Sequence, residues 1–225
     1  MKLFIGTANR AKQIDIVRAL EKSLAHYSQS CAFIFPQDLG LNEVPEETGT
    51  TFAENSALKA HFYFDHTHMP VITDDGGIMI SILNNEPGVR SRRWPGYEAT
   101  DEELIAYCLK RLEGNPSDEE RGAIFQTCVT YYNGKHLIQE KGEIKGRIAH
   151  APRPGKHVEG FPYRRLFIIE NGKYYDDLTP KEHEKYNHRE AAIRNLFKNL
   201  IQQHILGYNS RSACITIVLS DLCYQ

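Results

Sequence analysis

The stretch PVITDDGGIMI, residues 70–80, sets two adjacent carboxylates, Asp74 and Asp75, and two glycines, Gly76 and Gly77, directly after an apolar run. Neighbouring acids repel, so each must be hydrated, paired or metal-bound. A charged surface turn is one reading, because Asp and Gly dominate turns. The other is a site of hard oxygen ligands, suited to Mg²⁺ held together with substrate phosphates. There one carboxylate can act as general base, and the glycines let backbone approach a phosphate closely. Local sequence leaves both open.

Three further clusters could join such a site. TANRAK, residues 7–12, lies between an apolar run and a helical pattern. The amides of a helix N-terminus attract anions, and Lys12 adds charge beside Thr7 and Asn9; the plainer alternative is that Asn9 is only an N-cap. In EETGTTFAENSALKA, 46–60, Glu46 and Glu47 precede a turn at Gly49, and Asn55 and Lys59 stand four apart on one helix face. Spacing alone favours a solvated face for that pair. Asn187-His188-Arg189 opens a helix and presents hydrogen-bonding groups for a carbonyl or phosphate, or else a capped helix with an exposed basic pair.

The elements that must position these clusters follow from periodicity and punctuation. Residues 2–6 and 31–35 read as short strands, with a helix from Ala11 to Leu24 between them. Capping boxes at Thr51–Glu54, Thr100–Glu103 and Thr179–Glu182 open helices. PVIT reads as a central strand ending at Asp74, with Asp74–Gly77 as the turn beyond it. Residues 122–132 are β-branched and aromatic, and Asn133-Gly134 signals a hairpin returning over 135–149. LFII, 166–169, is another strand, and a last helix starts at Asn187. The expectation is an α/β protein with a mixed sheet. Residues 1–206 form one domain and 207–225 an extension in which ACITIVL, 213–219, packs as an extra strand on its own sheet edge or a partner's.

Bulk properties narrow the function. The 225 residues are 41% hydrophobic, with 27 Lys and Arg against 29 Asp and Glu. That near-neutral balance argues against a nucleic-acid polymer as partner. No apolar run approaches the ~18 residues of a membrane span. The five cysteines are scattered and lack C-x-x-C, as expected of free thiols in a reducing, cytoplasmic compartment.

Taken in order, the clusters resemble the inosine triphosphate pyrophosphatase family. TANRAK corresponds to the family's T-G-N-x-x-K, the 46–60 stretch to E-E-T-G-x-[ST]-F-x-E-N-A-x-x-K-A, and TDDGGI to D-D-S-G-L. PGVRSRRW corresponds to P-G-x-x-S-A-R-[WYF], and NHR to S-H-R. The resemblance implies an elongated mixed sheet with flanking helices, two lobes around a nucleotide cleft and a homodimer. It also implies Mg²⁺-dependent hydrolysis of non-standard purine nucleoside triphosphates to monophosphate and pyrophosphate. By position, Glu46 and Asp75 would hold the metal with support from Asp74, and Asp75 would be the base. Thr7, Asn9, Lys12, Asn55, Lys59 and Gly76 would line the triphosphate path, and Phe161, Tyr163, His188 and Arg189 the base. One departure matters most: G-F-G-[YW]-D-P reads Gly160-Phe161-Pro162-Tyr163-Arg164-Arg165, so an acceptor has become the donor-only Arg164. A shifted base range is the alternative this raises; a non-catalytic nucleotide binder is a third reading, against which the intact Glu46, Asp74, Asp75, Lys12 and Lys59 argue.

Overall fold

The strand carrying the paired acids is the axis of the sheet. In the computed structural model, which describes residues 2–26, 31–114, 117–155 and 158–206, the strands are β1 (Lys2–Ile5), β2 (Ala32–Ile34), β3 (Val71–Ile80), β4 (Glu86–Pro87), β5 (Gly122–Tyr132), β6 (Leu137–Ile148) and β7 (Phe167–Ile169). They form one mixed sheet in the order β2-β1-β3-β5-β6-β7, with β4 beside β3. β1 runs parallel to β2 and β3; the other pairings are antiparallel. Helices α1 (Arg10–His26), α2 (Phe52–Thr67), α3 (Asp101–Arg111), α4 (Pro180–Tyr186) and α5 (His188–Gln202) flank it. The expected α/β class, the hairpin at Asn133-Gly134 and all three capping boxes are present. The tail expected to add a strand lies outside the described residues.

The expected turn at Asp74–Gly77 does not exist. β3 continues through it to Ile80, paired residue by residue with β5 from Val71↔Tyr132 to Ile80↔Ala123. A long β-branched partner supplies a ladder bond along the whole stretch, and that overrides the turn preference of Asp and Gly. The glycines have a packing reason. A Cβ on Gly77 would lie 2.2 Å from Ser91 Oγ and 2.8 Å from the Gly88 carbonyl, and one on Gly76 would lie 2.6 Å from the Gln126 carbonyl. Protein atoms pack into the space their missing side chains leave.

Because strand side chains alternate between faces, adjacent Asp74 and Asp75 point to opposite sides of the sheet. Ile72, two before Asp74, packs with Ile16 and Leu20 of α1 and Leu196 and Phe197 of α5. Val71, on the face of Thr73 and Asp75, packs with Ala60 and Tyr63 of α2. β1 stops opposite Ile72, so both acids lie just past the carboxyl end of β1, where the connections to its neighbours diverge. Open α/β sheets bind ligands at such a crevice.

The seat of α5 depends on one glycine in β6. A Cβ on Gly142 would fall 1.8 Å from the His188 carbonyl, a backbone atom at the start of α5 that can yield only if the helix moves. Gly142→Ala is expected to destabilise by about 1–3 kcal/mol, the usual scale of overpacking. That corresponds to a melting shift of roughly 2–4 °C per kcal/mol at this chain length. Gly122→Ala, whose Cβ would meet only the Glu119 carbonyl at 3.5 Å, is the control and should stay within about 0.5 kcal/mol. Equal melting temperatures for the two variants would contradict this packing.

Candidate active site

The loop after β1 is shaped by its own polar side chains. Thr7 Oγ1 accepts from the Asn9 amide at 3.2 Å, and Asn9 Oδ1 accepts from the Lys12 amide at 3.1 Å. Asn9 is thus the N-cap of α1, as the plainer reading held, and the cap aims the first helical turn at β3. Lys12 Nζ lies 3.3 Å from Asp74 Oδ2. The same oxygen accepts from Arg189 Nε at 3.1 Å and Thr127 Oγ1 at 3.4 Å, while Asp74 Oδ1 has no partner among the described residues. Asp74 is wholly buried. Burial opposes its charge, but Lys12, Arg189 and Lys59 outweigh that and hold its carboxyl well below the usual range.

On the other face, Lys59 Nζ donates to Asp75 Oδ1 at 3.1 Å and to Glu47 Oε1 at 2.8 Å. Asn55 spans loop and strand: its Oδ1 accepts from the Gly49 amide at 2.7 Å and its Nδ2 donates to Asp75 Oδ2 at 3.3 Å. Asn55 and Lys59 are therefore buried, not on the solvated face that spacing favoured; two carboxylates provide the counter-charge that makes burial of the ammonium tolerable. Between them, Ser56 bonds the Thr73 carbonyl and accepts from Thr130 Oγ1, which fastens α2 to the sheet. Burial raises the Asp75 pKa and Glu47 adds to it, against the pull of Lys59 and Lys12. Of the two adjacent glutamates, the structure brings Glu47 to Lys59 and to Arg93, at 3.7 Å, and leaves Glu46 exposed.

The third wall comes from α5 and the 160–165 turn. His188 is buried and stacks on Phe125, ring centroids 5.7 Å apart, with Nδ1 unpartnered. Burial and the Arg189 and Arg164 charges push its pKa well down, so the imidazole is neutral. Phe161 is half-buried. Tyr163 faces the core, its hydroxyl donating to the Ser91 carbonyl at 2.8 Å, so its place is in the packing of the wall. Arg164 lies 3.6 Å over the Phe161 ring and pairs with Asp15, which also accepts from Arg189 Nη1 at 3.3 Å. The sequence reading had missed Asp15, although its position three after Lys12 places both on one side of α1.

These residues fit a hard divalent cation. The available donors are carboxylate oxygens, one of them the orphaned Asp74 Oδ1. Among the described residues, no three His, Cys, Asp or Glu side chains converge as a self-sufficient metal cage. Mg²⁺ is bound by one or two carboxylates together with water and substrate phosphates.

Comparison with known proteins meets this geometry. The profile of the Ham1 family matches residues 3–199. The chain belongs to the Ham1 family. Its relatives include proteins named dITP/XTP pyrophosphatase: that of Thermoanaerobacter sp. (strain X514) is 36% identical over 91% of this chain and 98% of its own length. One from Thermus thermophilus is 34% identical over 88% of this chain and 91% of its own. Among solved structures, a HAM1 protein from Coxiella burnetii superposes with a TM-score of 0.75 at 30% identity, covering 90% of this chain and 99% of that one. The family resemblance read from the motifs is thus borne out, and the mixed sheet is the Ham1 fold.

Among the described residues of this Ham1 chain, Asp74 is the acid that bridges Lys12 and Arg189. Asp74→Asn keeps the shape and leaves the buried Arg189 and the half-buried Lys12 without that counter-charge, so it is expected to cost about 3–5 kcal/mol. The sign with pH follows. A carboxyl held low in the folded state contributes its full stability above its unfolded value of about 3.9, and loses it as pH falls toward the folded value. Thermal unfolding measured across that acid window should show a steeper decline for the parent than for Asp74→Asn. Parallel curves would remove Asp74 from the acid response.

Proposed function

We propose that this Ham1-family chain hydrolyses non-standard purine nucleoside triphosphates, ITP, XTP and their deoxy forms, to monophosphate and pyrophosphate. It is a nucleoside triphosphate pyrophosphatase that clears such nucleotides from the cytoplasmic pool, acting as a homodimer with its chemistry in residues 1–206 and a separate extension over 207–225. The observation that carries the reading is Asp75: a carboxylate whose proton affinity is raised by burial, held between Lys59 and Asn55 beside Lys12. The relatives' names supply the substrate class. Free, buried Cys31, Cys108 and Cys128 suit a reducing compartment. Among the described residues, no helix is long and apolar enough to cross a membrane.

A triphosphate brings about four negative charges, and its hydrolysis is chiefly positioning and charge stabilisation. Lys12 and Lys59, with the α1 N-terminus, accept the phosphates. Asp75 orients the attacking water and takes its proton, the α–β anhydride bond breaks, and pyrophosphate leaves. Asp75 and the Glu46–Glu47 pair would hold Mg²⁺, with Asp74 in support. Bound there, Mg²⁺ supplies further neutralisation of the phosphate oxygens. Phe161 offers a ring face to the purine, while Arg189 and the neutral His188 offer hydrogen bonds to its edge. Donors suit the 6-keto oxygen of hypoxanthine and xanthine; adenine presents a donor there. Arg164 is engaged by Asp15 and Phe161, which favours the unshifted base range over the alternative its sequence departure raised.

A panel of triphosphates with pyrophosphate detection tests the substrate class: ITP and XTP should far exceed ATP, and equal kcat/KM for ITP and ATP would refute it. Asp75→Asn should lower kcat at least ~10²-fold, the low end for a lost general base, and near-normal turnover by a folded variant would remove Asp75 from the mechanism. Activity should vanish on chelation with EDTA and return with Mg²⁺; turnover that persists in excess chelator would exclude a divalent requirement.

A further inference from the structure

Reading a purine needs two things in a fixed relation: a ring to stack on and a donor aimed at its edge. Phe161 sits on the 160–165 turn and Arg189 on α5; the Arg189 guanidinium lies 5.4 Å from the centroid of the Phe161 ring, and Asp15 on α1 ties the two elements together. Its Oδ2 accepts from Arg164 Nη2 at 2.5 Å and from Arg189 Nη1 at 3.3 Å. An oxygen with two lone pairs can serve both. Arg164 in turn lies 3.6 Å over the Phe161 ring. The unit is enclosed: the side chains of Asp15, Arg164 and Arg189 are 12%, 10% and 4% exposed.

Arg189 is held at two points. Nε donates to Asp74 and Nη1 to Asp15, while Nη2 makes no hydrogen bond among the described residues. A guanidinium is a rigid plane, so two fixed nitrogens set the direction of the third. Asp74 alone would leave the plane able to swing about one bond.

We infer that Asp15 is a positioning residue for base selectivity: it fixes the Arg189 fork relative to the Phe161 ring, and Arg164 acts together with it, paired to Asp15 and stacked on that ring. Asp15 itself does not touch the nucleotide. This rests on the pyrophosphatase reading above but assigns a role to a residue outside its contacts. It also explains how the donor-only Arg164 can stand in the wall of a purine site: its charge is answered by Asp15 rather than by the base.

The test is a set of four proteins, the parent, Asp15→Asn, Arg164→Gln and the double variant, assayed for pyrophosphate release from ITP and ATP, with melting temperatures for each. Asp15→Asn should reduce the ITP:ATP ratio of kcat/KM at least about tenfold, within the range that misplaced hydrogen bonds to a base can cost. Arg164→Gln should change the ratio in the parent background and have a smaller effect on it in the Asp15→Asn background. A purely structural Asp15 would lower the melting temperature and leave the ratio alone. A folded Asp15→Asn with a ratio within about twofold of the parent would overturn the inference, as would an Arg164→Gln effect of undiminished size in the double variant. If Asp15→Asn does not fold, Asp15→Glu carries the test. It keeps the charge but moves it by one methylene, so it should shift the ratio at near-parent stability; an unshifted ratio would overturn the inference. If the parent releases no pyrophosphate, the pyrophosphatase reading fails on its own. The ITP:ATP ratio of dissociation constants, by calorimetry on the same proteins, then decides the role of Asp15.

Discussion

Two carboxylates next to each other in sequence become tolerable because the chain between them is extended. Side-chain alternation sends Asp74 toward α1 and α5 and Asp75 toward α2, so their nearest cations differ: Lys12 and Arg189 for Asp74, Lys59 for Asp75. Were the segment a turn or helix, the two charges would share one environment, and one would have to protonate. The pairing of β3 with β5 through the whole Asp-Asp-Gly-Gly stretch is therefore the constraint on which the rest depends. It separates the acids, and so allows one to be an anchor and the other a reactive group.

The separation also divides their chemistry. Asp74, wholly buried with three donors on one oxygen, is driven toward permanent ionisation. Asp75, one residue on, has fewer cations for its burial and a neighbouring glutamate, and its proton affinity rises. A base must release as well as take a proton near the working pH; an anchor must not titrate at all. The same residue type serves both ends because the environments differ, and the environments differ because the two side chains face different layers.

Much of this was legible in the sequence. Capping boxes at Thr51, Thr100 and Thr179 and the Asn133-Gly134 hairpin are local devices, set by residues within a few positions of one another, and they appear as read. The order of motifs was enough for the family. What escaped was non-local. Asp74–Gly77 carries turn composition, and only a partner strand some fifty residues away turns it into a ladder. Lys59 carries the spacing of a surface residue, and only Glu47 and Asp75 make its burial tolerable. Glu46 and Glu47 cannot be told apart by type; the path of the loop before α2, fixed by the Asn55 bond to Gly49, brings Glu47 to the lysine.

The two halves of the crevice are mechanically joined as well as electrically. Asp101, at the start of α3, takes the Arg92 guanidinium from the basic loop over residues 88–93 and the Gly160 amide, at 2.7 Å, from the turn that carries Phe161. Tyr163 spans the same gap to the Ser91 carbonyl. Ser91 in turn fills the space beside Gly77 on β3. A shift of the Phe161 turn would therefore be felt through Ser91 at the strand that carries Asp75, with packed atoms rather than solvent between them. Interiors are close-packed and transmit displacement rather than absorb it. The wall that would hold the purine and the strand that would carry the base are consequently parts of one rigid assembly. On the proposed function, placement of a purine against Phe161 and of an anhydride before Asp75 would then not be independent events: a ring that seated badly on one wall would present its phosphates badly to the other.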